Sequence, residues 1–545
     1  QTLALNGPTA ESRCRALWLL AADVRRSHTA GQGSPSPLES GLLAAALRDP
    51  DPRVRGVAVQ VSSLQPAASE IIRSRLLEMA ADPDPRVRYR IALRLGEPDL
   101  QAAADPKQAV ATALAKLLAH DPADPWTRRA VATSASGQAA AVLTSLLPQL
   151  AVSAASPTTR SVCVQQFAEL AAAEGHADAL AAVVQELAAA ITGVAADDAA
   201  ASPPAFACLT GIGQGLARQR QHLDAALAGW PPAMQTAVID LLTSAAKTAT
   251  DHTADEALRL QAIDCLAHAP TALATEAITA LVQPSTPQTL RLAAIAAADR
   301  FHTAAVDDAM LADFGSQTPA VYRQVVASLV ARPASAARLL ARLESGDTPP
   351  LQLSDPQWQR LADCTDNAAE RVAALRQTAS PEDRQQVVAR YAATVDQAGD
   401  LLRGRAVFQT QCSSCHRVGE IGVNVGPDIS DSRVKQPLQY LSDILDPNRA
   451  IDASFFGYTL LTTDGRLLAG IITGETGSSV TLRQADGITT TLLREEIDEL
   501  RSTGQSLMPV GLERTISPQQ MADLICFLKN WRYETAAVTT PPSTP

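Results

Sequence analysis

Two cysteines and a histidine lie within five consecutive positions of this chain, from Cys412 to His416. The thiols of Cys412 and Cys415 are spaced so that each can add to one vinyl group of a haem, and His416 can ligate the iron from the same segment. With 8 Cys and 8 His among 545 residues, chance is a poor explanation for this spacing. The pattern predicts one covalently attached c-type haem, held by Cys412 and Cys415 and ligated by His416.

Two other uses of paired thiols remain open as alternatives. A structural zinc site needs two more cysteine or histidine ligands. Beyond His302 the only histidine is His416, and the only cysteine after Cys415 is Cys526. Cys526 lies in an apolar stretch typical of a helix, where a buried thiol is the simpler interpretation. A redox dithiol is the second alternative, although such motifs normally lie between a strand and a helix, a context that this segment lacks.

A second axial ligand is expected from a methionine, and two methionines follow the motif. Met521 lies in an apolar-periodic stretch that Ser517 and Pro518 open as a helix, so we assign it to packing. Met508 lies in a loop in front of Pro509 and is predicted to be the sixth iron ligand. A thioether opposite an imidazole favours Fe(II) over Fe(III), which raises the potential and suits electron transfer.

Two helices are predicted around the motif. Gly404, Phe408 and Cys412 recur every four residues and therefore share one face of a helix that leads into the motif. A glycine on that face allows another helix to approach closely. The predicted partner runs from Pro518 to Trp531, and its apolar residues form one stripe. Two helices alone make little core, and a haem would supply the missing apolar surface.

The interval between the two proposed iron ligands predicts β-structure. Asp464-Gly465 and Asp486-Gly487 each lie between runs typical of strands. Asp-Gly at such a point favours a hairpin, because both residues tolerate positive φ. We expect a small antiparallel β insertion at about 455–500, between the haem loop and the methionine loop.

The segment from Gly404 to Trp531 resembles class I cytochromes c, and more narrowly the haem-binding domain described from planctomycete and verrucomicrobial proteins. The resemblance covers about a quarter of the chain and rests on Gly404 to Phe408, Cys412 to His416, Gly426 to Ile429, Ile444 to Arg449, and Ser506 to Pro509. It implies that Pro427 offers its backbone carbonyl to the second ring nitrogen of His416 and so fixes the imidazole. The narrower family also carries a similar insertion.

Before about residue 395 the chain is rich in Ala and Leu and contains a repeat. The run from Asp49 to Arg55 recurs 33 residues later as Asp82 to Arg88, and Asp121 to Pro125 continues the series. Fixed periods of this length predict stacked helical repeats, each burying its apolar face against its neighbours.

A second series places an arginine every 32 residues, at Arg259, Arg291 and Arg323. The Asp-Pro-Asp-Pro-x-Val-Arg pattern of the first series resembles HEAT-type repeats. We expect the arginines of both series to bond turn carboxylates or carbonyls rather than a ligand.

These features predict a mostly α protein in three parts. We expect a HEAT-like α-solenoid over 1–395, a cytochrome c-like haem domain over 396–534 and a disordered, low-complexity tail over 535–545. A net charge of −11 and a pI near 5.3 argue against nucleic acid as a partner. No apolar run is long enough for a transmembrane helix.

We expect the haem domain to relay single electrons from a fused or partner dehydrogenase to a downstream acceptor. No catalytic motif is visible in the sequence, so whether the chain is itself an enzyme is left open. The resembling family often carries an N-terminal β-propeller similar to sugar dehydrogenases, which these residues do not include. Because the sequence begins at Gln1 without a leader, we expect it to be part of a longer protein that is periplasmic or otherwise exported.

Two further functions are kept as alternatives. The first is a protein-interaction scaffold whose C-terminal domain uses haem or zinc for structure or sensing. The second is a haem enzyme with an open iron site, which would follow if Met508 does not ligate.

Overall fold

The computed structural model describes residues 1–29, 40–64, 70–101, 106–151, 155–192, 203–301, 303–312, 314–345, 353, 355–379, 382–431, 434–484 and 487–533. The predicted disordered tail, and Asp486 of the second predicted hairpin turn, lie outside these residues. The described part of the chain is mostly helical with a small antiparallel sheet near its C-terminal end, as predicted. None of the helices in these ranges is long and apolar enough to cross a membrane.

Two compact units make up the chain, Gln1–Ala274 and Thr275–Pro545. The boundary expected from the sequence, at 395/396, stays a prediction. The helices of the first unit are Thr2–Asn6, Ala10–Thr29, Ser40–Ala46, Pro52–Ser62, Glu70–Glu78, Pro85–Arg94, Pro98–Gln101, Pro106–His120, Pro125–Ser134, Ala139–Ala151, Pro157–Ala173, Ala177–Thr192, Pro203–Arg218, Leu223–Ala228, Pro232–Thr250 and Glu256–Leu266. The next helix, Thr271–Leu281, spans the boundary between the units.

Asp-Pro pairs set the start of several helices in the first unit. The side chains of Asp51 and Asp84 accept the backbone N–H of Arg53 and Arg86, and a proline follows each aspartate at the first helical position. Aspartate satisfies an otherwise unpaired N–H there, and proline loses nothing because its missing N–H has no partner at that position. The 33-residue sequence repeat is therefore a repeat of helix starts.

The repeat arginines hold neighbouring turns together. Arg55 is buried and donates through Nε and Nη2 to the two carboxylate oxygens of Asp82, at 2.8 and 2.7 Å, and through Nη1 to the carbonyl of Asp49 at 3.0 Å. Arg88 makes the equivalent contact with Asp121, with Nε 2.8 Å from the carboxylate. The prediction that these arginines bond turn groups is confirmed.

The second unit begins with short helices like those of the first unit, and its C-terminal part contains the Cys412–His416 motif. Its helices are Gln288–Ala298, Ala304–Ala312, Pro319–Val330, Pro333–Glu344, Asp355–Ala362, Ala368–Ala379, Glu382–Tyr391, Leu401–Gln411, Pro437–Leu445 and Pro518–Asn530.

The second arginine series is only partly uniform. Arg259 and Arg291 are buried and donate through Nε to a backbone carbonyl of the preceding turn, at 3.0 and 2.7 Å. Arg323 is exposed instead, and it contacts Asp452 at 3.2 Å and the hydroxyl of Ser454. The expected turn contacts are therefore present at the first two positions, while Arg323 reaches the region after the motif.

We call Leu401–Gln411 the motif helix and Pro518–Asn530 the C-terminal helix. They pack as the sequence predicts. Gly404 of the motif helix lies against the backbone of Asp523, and a Cβ added there would overlap the Asp523 carbonyl. Phe408 and Phe527 contact each other with ring centroids 5.6 Å apart. The glycine thus allows the close approach of the two helices.

A buried carboxylate ties the start of the motif helix to the C-terminal helix. The side chain of Asp523 accepts the N–H of Asp400 at 2.7 Å and the guanidinium of Arg403 at 2.8 and 3.0 Å. Asp400 in turn caps the motif helix by accepting the Arg403 N–H. The bond from Arg403 is the main reason why the pKa of Asp523 is lowered.

Strands follow the motif in two groups. Strands β1 (Arg417–Val418) and β2 (Ile421–Gly422) form a short hairpin. A five-stranded antiparallel sheet consists of β3 (Phe456–Thr462), β4 (Leu467–Glu475), β5 (Ser479–Arg483), β6 (Thr489–Leu493) and β7 (Ile497–Ser506), in the order β6-β5-β4-β3-β7.

Four strands of this sheet correspond to the predicted insertion. The first predicted turn is present, with Gly465 at a φ of 86°. Strand β7 was not predicted. It pairs with β3 and extends the sheet to residue 506, so the chain returns to the start of the insertion before it enters the methionine loop.

Candidate functional site

The five site residues predicted from the sequence line one cavity of about 550 Å³. They are Cys412, Cys415, His416, Pro427 and Met508. The first three lie in one turn, Pro427 lies in the loop after the β1–β2 hairpin, and Met508 follows strand β7. The fold thus brings together residues that are up to 96 positions apart in the sequence.

Most of the remaining wall is apolar and comes from several elements. The motif helix and the C-terminal helix contribute side chains, as do the helix Pro437–Leu445 and the sheet. The apolar residues on the wall include Phe408, Tyr440, Ile444, Phe455, Ile471, Leu512, Leu524 and Leu528. A cavity of this size with an apolar wall and a few polar groups is typical of a cofactor site.

A tight turn at the end of the motif helix presents the two thiols and the imidazole to the cavity. The N–H groups of Cys415 and His416 both donate to the carbonyl of Cys412, at 3.1 and 2.8 Å, and the N–H of Cys412 donates to Phe408 at 2.9 Å. Burial raises the pKa of the Cys412 thiol to about 12, and Cys415 adds to this. The raised pKa disfavours the thiolate form of Cys412, which is the reactive form in a redox dithiol.

The carbonyl oxygen of Pro427 lies 2.9 Å from Nδ1 of His416. A carbonyl can only accept, so Nδ1 must carry the proton of this hydrogen bond. In the neutral ring Nε2 is then left with its lone pair, which is the form that binds a metal. Burial is the main cause of the lowered pKa of His416, and it favours the neutral form of the ring.

The loop that carries Pro427 is fixed to the motif by its backbone. The N–H groups of Val425 and Gly426 donate to the carbonyl of Cys415, at 3.0 and 2.7 Å. A Cβ added to Gly426 would lie 2.6 Å from Cε1 of His416, so glycine is needed where the loop passes the ring. Sequence reasoning did not assign Gly426 this role, although it forms part of the Gly-Pro pair in the resembling segment.

The backbone of Met508 is held by a hydrogen bond to Ser506, which is itself bonded to Asn448. Its N–H donates to the hydroxyl of Ser506 at 3.1 Å, and the N–H of Ser506 donates to Oδ1 of Asn448 at 2.9 Å. Met508 also packs against the core of the C-terminal region. Asn448 and Ser506 were not singled out from the sequence. The only available signal was that both lie in stretches that resemble class I cytochromes c.

Two parts of the chain match models of known protein families. Residues 39–137 match the family model described as HEAT repeats, and residues 401–466 match the one described as cytochrome c. The chain carries HEAT repeats and a cytochrome c domain. The second match includes the motif and Pro427 but ends before Met508.

Sequence and structure searches add little to these two matches. No curated protein sequence matches the chain. Among solved structures, the crystal structure of an engineered protein matches at 16% identity, covering 68% of this chain and 96% of that chain, with a TM-score of 0.29. A likeness at this TM-score carries no argument.

The donor atoms in the cavity of the cytochrome c domain fit a haem. Two thiols stand beside an imidazole whose Nε2 is free for a metal, and a thioether lies on the same cavity wall. Lys435 and Arg449 also line the cavity and share Asp443, with nitrogens 2.8 and 3.6 Å from its carboxylate. Such cations could hold the two carboxylates of a haem. Among the described residues, no group of three or more His, Cys, Asp or Glu is arranged to hold a metal ion by itself.

Proposed function

We propose that the cytochrome c domain is an electron-transfer module carried on a helical-repeat scaffold. One haem would be attached through Cys412 and Cys415, with His416 and Met508 as axial ligands. The module would take single electrons from a dehydrogenase, fused or docked, and pass them to a downstream acceptor. We also propose that the domain is of the planctomycete and verrucomicrobial type, and that the protein works in the periplasm or another exported location.

The observation that carries this proposal is that the two cysteines, the histidine and the methionine line one cavity. The imidazole of His416 is also held in one orientation by Pro427. Pro427 holds the proton on Nδ1 of His416, so the nitrogen that ligates does not have to lose a proton first. Each thiol can add its sulfur and its hydrogen across one vinyl double bond, a reaction that neither gains nor loses electrons. A haem bound here supplies one-electron redox chemistry.

The residues of the chain explain why a relay is favoured over an enzyme with an open iron site. Met508 lies on the cavity wall and is held there through Ser506 and Asn448. If Met508 ligated the iron together with His416, it would occupy the position that a substrate would need, and its thioether would favour the reduced iron.

The decisive experiment is a visible spectrum of the full chain, matured with haem, in both oxidation states. We expect sharp c-type bands in the reduced protein and a thioether-to-iron absorption in the oxidised protein. The Met508→Leu variant should lose the thioether absorption, whereas Met521→Leu should keep it, because Met521 is fully buried in the C-terminal helix.

Covalent attachment is tested separately on a denaturing gel stained for haem. The Cys412→Ala/Cys415→Ala double variant should lose the stained band that the wild type shows. A stained band that survives in the double variant would contradict covalent attachment. Absence of haem absorption in competently matured wild type would overturn the electron-transfer function, and binding of cyanide by the resting protein without delay would favour the open-site enzyme.

A further inference from the structure

The loop that carries Met508 is held at its far end by a helix that lies outside the cytochrome c match. Arg384, in the helix Glu382–Tyr391, donates through Nη2 and Nη1 to the two carboxylate oxygens of Glu513, at 2.6 and 3.2 Å. Its Nη1 also lies 3.2 Å from the carbonyl oxygen of Leu445. The Arg384 and Glu513 side chains are 15% and 12% exposed, so the pair is largely shielded from water.

The same helix contacts the backbone of the loop through a tyrosine. The hydroxyl of Tyr391 lies 3.1 Å from the carbonyl oxygen of Glu513 and 2.9 Å from that of Ile516. Tyr391 and Val387 are buried in one core with Leu512 and Ile516. The helix therefore bonds both the side chain and the main chain of the segment after Met508.

The beginning of the loop is anchored independently. Ser506 is bonded to Asn448, and Pro509 restricts the backbone directly after Met508. Six residues separate Ser506 from Glu513, so fixing both ends leaves the methionine little freedom to move away from the cavity.

The ion pair is better explained by geometry than by stability. A buried pair of charges gains little net free energy, because both groups lose their hydration. A two-point contact between guanidinium and carboxylate does impose a fixed distance and angle. In this unit the Arg384–Glu513 contact fixes the methionine loop relative to the helix Glu382–Tyr391.

We propose that Arg384 is a positioning residue for Met508, so that the last helix before the cytochrome c match forms a working part of the haem site. This inference rests on the proposed function, since it requires Met508 to ligate. Arg384 does not touch the cofactor cavity and acts through Glu513.

Competition for the iron tests this role. In the full chain matured with haem, added imidazole displaces a weakly held methionine, and the thioether absorption reports the exchange. We expect Arg384→Ala to raise the apparent affinity for imidazole about tenfold. Arg384→Lys keeps the positive charge but loses the two-nitrogen contact with Glu513, and it should raise the affinity less. Glu513→Gln should act in the same direction, and it provides a second test if Arg384→Ala does not mature.

A matched control separates positioning from general stability. Arg371 makes a similar two-point contact with Glu344, at 2.7 and 2.5 Å, between helices that do not carry the methionine loop. Arg371→Ala should leave imidazole affinity unchanged. An unchanged affinity in Arg384→Ala and Glu513→Gln would overturn the inference alone, whereas a wild type without thioether absorption would overturn the ligation by Met508 and the inference with it.

Discussion

Gly404 lies so close to the carbonyl of Asp523 that no side chain fits between the motif helix and the C-terminal helix. Gly404→Ala must push the helices apart, and we expect the free energy of unfolding of the cytochrome c domain to fall by about 1–3 kcal/mol. Denaturant titration followed through the haem absorption measures this.

A helical glycine with free space around it provides the control for this substitution. Gly41 lies in the helix Ser40–Ala46, and a Cβ added there meets no atom of the residues that the structure describes within 4 Å. Gly41→Ala should therefore not lower stability, because alanine favours a helix more than glycine does. Equal loss in both variants would show that the close approach at Gly404 is not the cause.

Asp523 should make the cytochrome c domain sensitive to acid. Because its pKa is lowered in the folded state, its contribution to stability is complete above the usual aspartate pKa of about 3.9 and is lost as the pH falls from there through the folded-state pKa. Asp523→Asn should cost about 1.5–3 kcal/mol at pH 7 and remove this part of the acid sensitivity.

Unfolding midpoints measured at a series of pH values test the role of Asp523. Asp431, which is 84% exposed and pairs with Arg532 on the surface, provides the control. Asp431→Asn should change stability little, because exposed ion pairs are weak. If the unfolding midpoints of the wild type and of Asp523→Asn changed with pH in parallel, Asp523 would not be the cause of the acid sensitivity.

The repeat arginines should differ in importance within a single turn. Arg55→Ala leaves the Asp82 carboxylate, which is 3% exposed, without its partner, and we expect a loss of about 3–5 kcal/mol. Arg53, two positions away, pairs with Asp51 on the surface, with 65% of its side chain exposed. Arg53→Ala should hardly change the thermal unfolding followed by circular dichroism. Similar losses of stability in both variants would contradict a special role of the buried Arg55–Asp82 contact.

Gly426→Ala should disturb the imidazole directly. A methyl group at this position overlaps the His416 ring, which must turn away from the Pro427 carbonyl or from the cavity. A strain of about 1.4 kcal/mol would weaken ligation about tenfold, and the spectrum of the oxidised protein would show a larger fraction of iron without its axial histidine. Gly474→Ala is the control, since its added Cβ meets nothing closer than 3.6 Å. An unaltered spectrum for Gly426→Ala would contradict the contact.

Features that depend on neighbours in sequence could be predicted, and long-range contacts could not. The Cys412 to His416 turn, the Asp-Pro helix starts and the Asp464-Gly465 hairpin each follow from residues a few positions apart. The Arg384–Glu513 pair joins residues 129 positions apart. In the sequence, each of the two looks like any charged residue on a protein surface. Nothing local distinguishes it.

Strand β7 was missed for a different reason. Its residues, from Ile497 to Ser506, are mostly polar, and only Gly504 is buried. An edge strand has one neighbour only and need not bury a face, so the alternation of apolar and polar residues that indicates a strand is absent. The pairing with β3 becomes visible only in the folded chain.

The pairing of Phe456 with Ser506 means that the sheet enters and leaves the cytochrome c domain at a single point. Whatever lies between them can grow or shrink by whole hairpins while the attachment of Met508 stays where it is. Met508 follows His416 by 92 positions in the sequence, and this separation therefore imposes no matching distance in space. The sheet also reaches the cavity at a second place, where Ile471 of β4 lies on the wall and Arg483 of β5 donates to the carbonyl of Asn424 at 2.6 Å, so it braces the loop that carries Pro427.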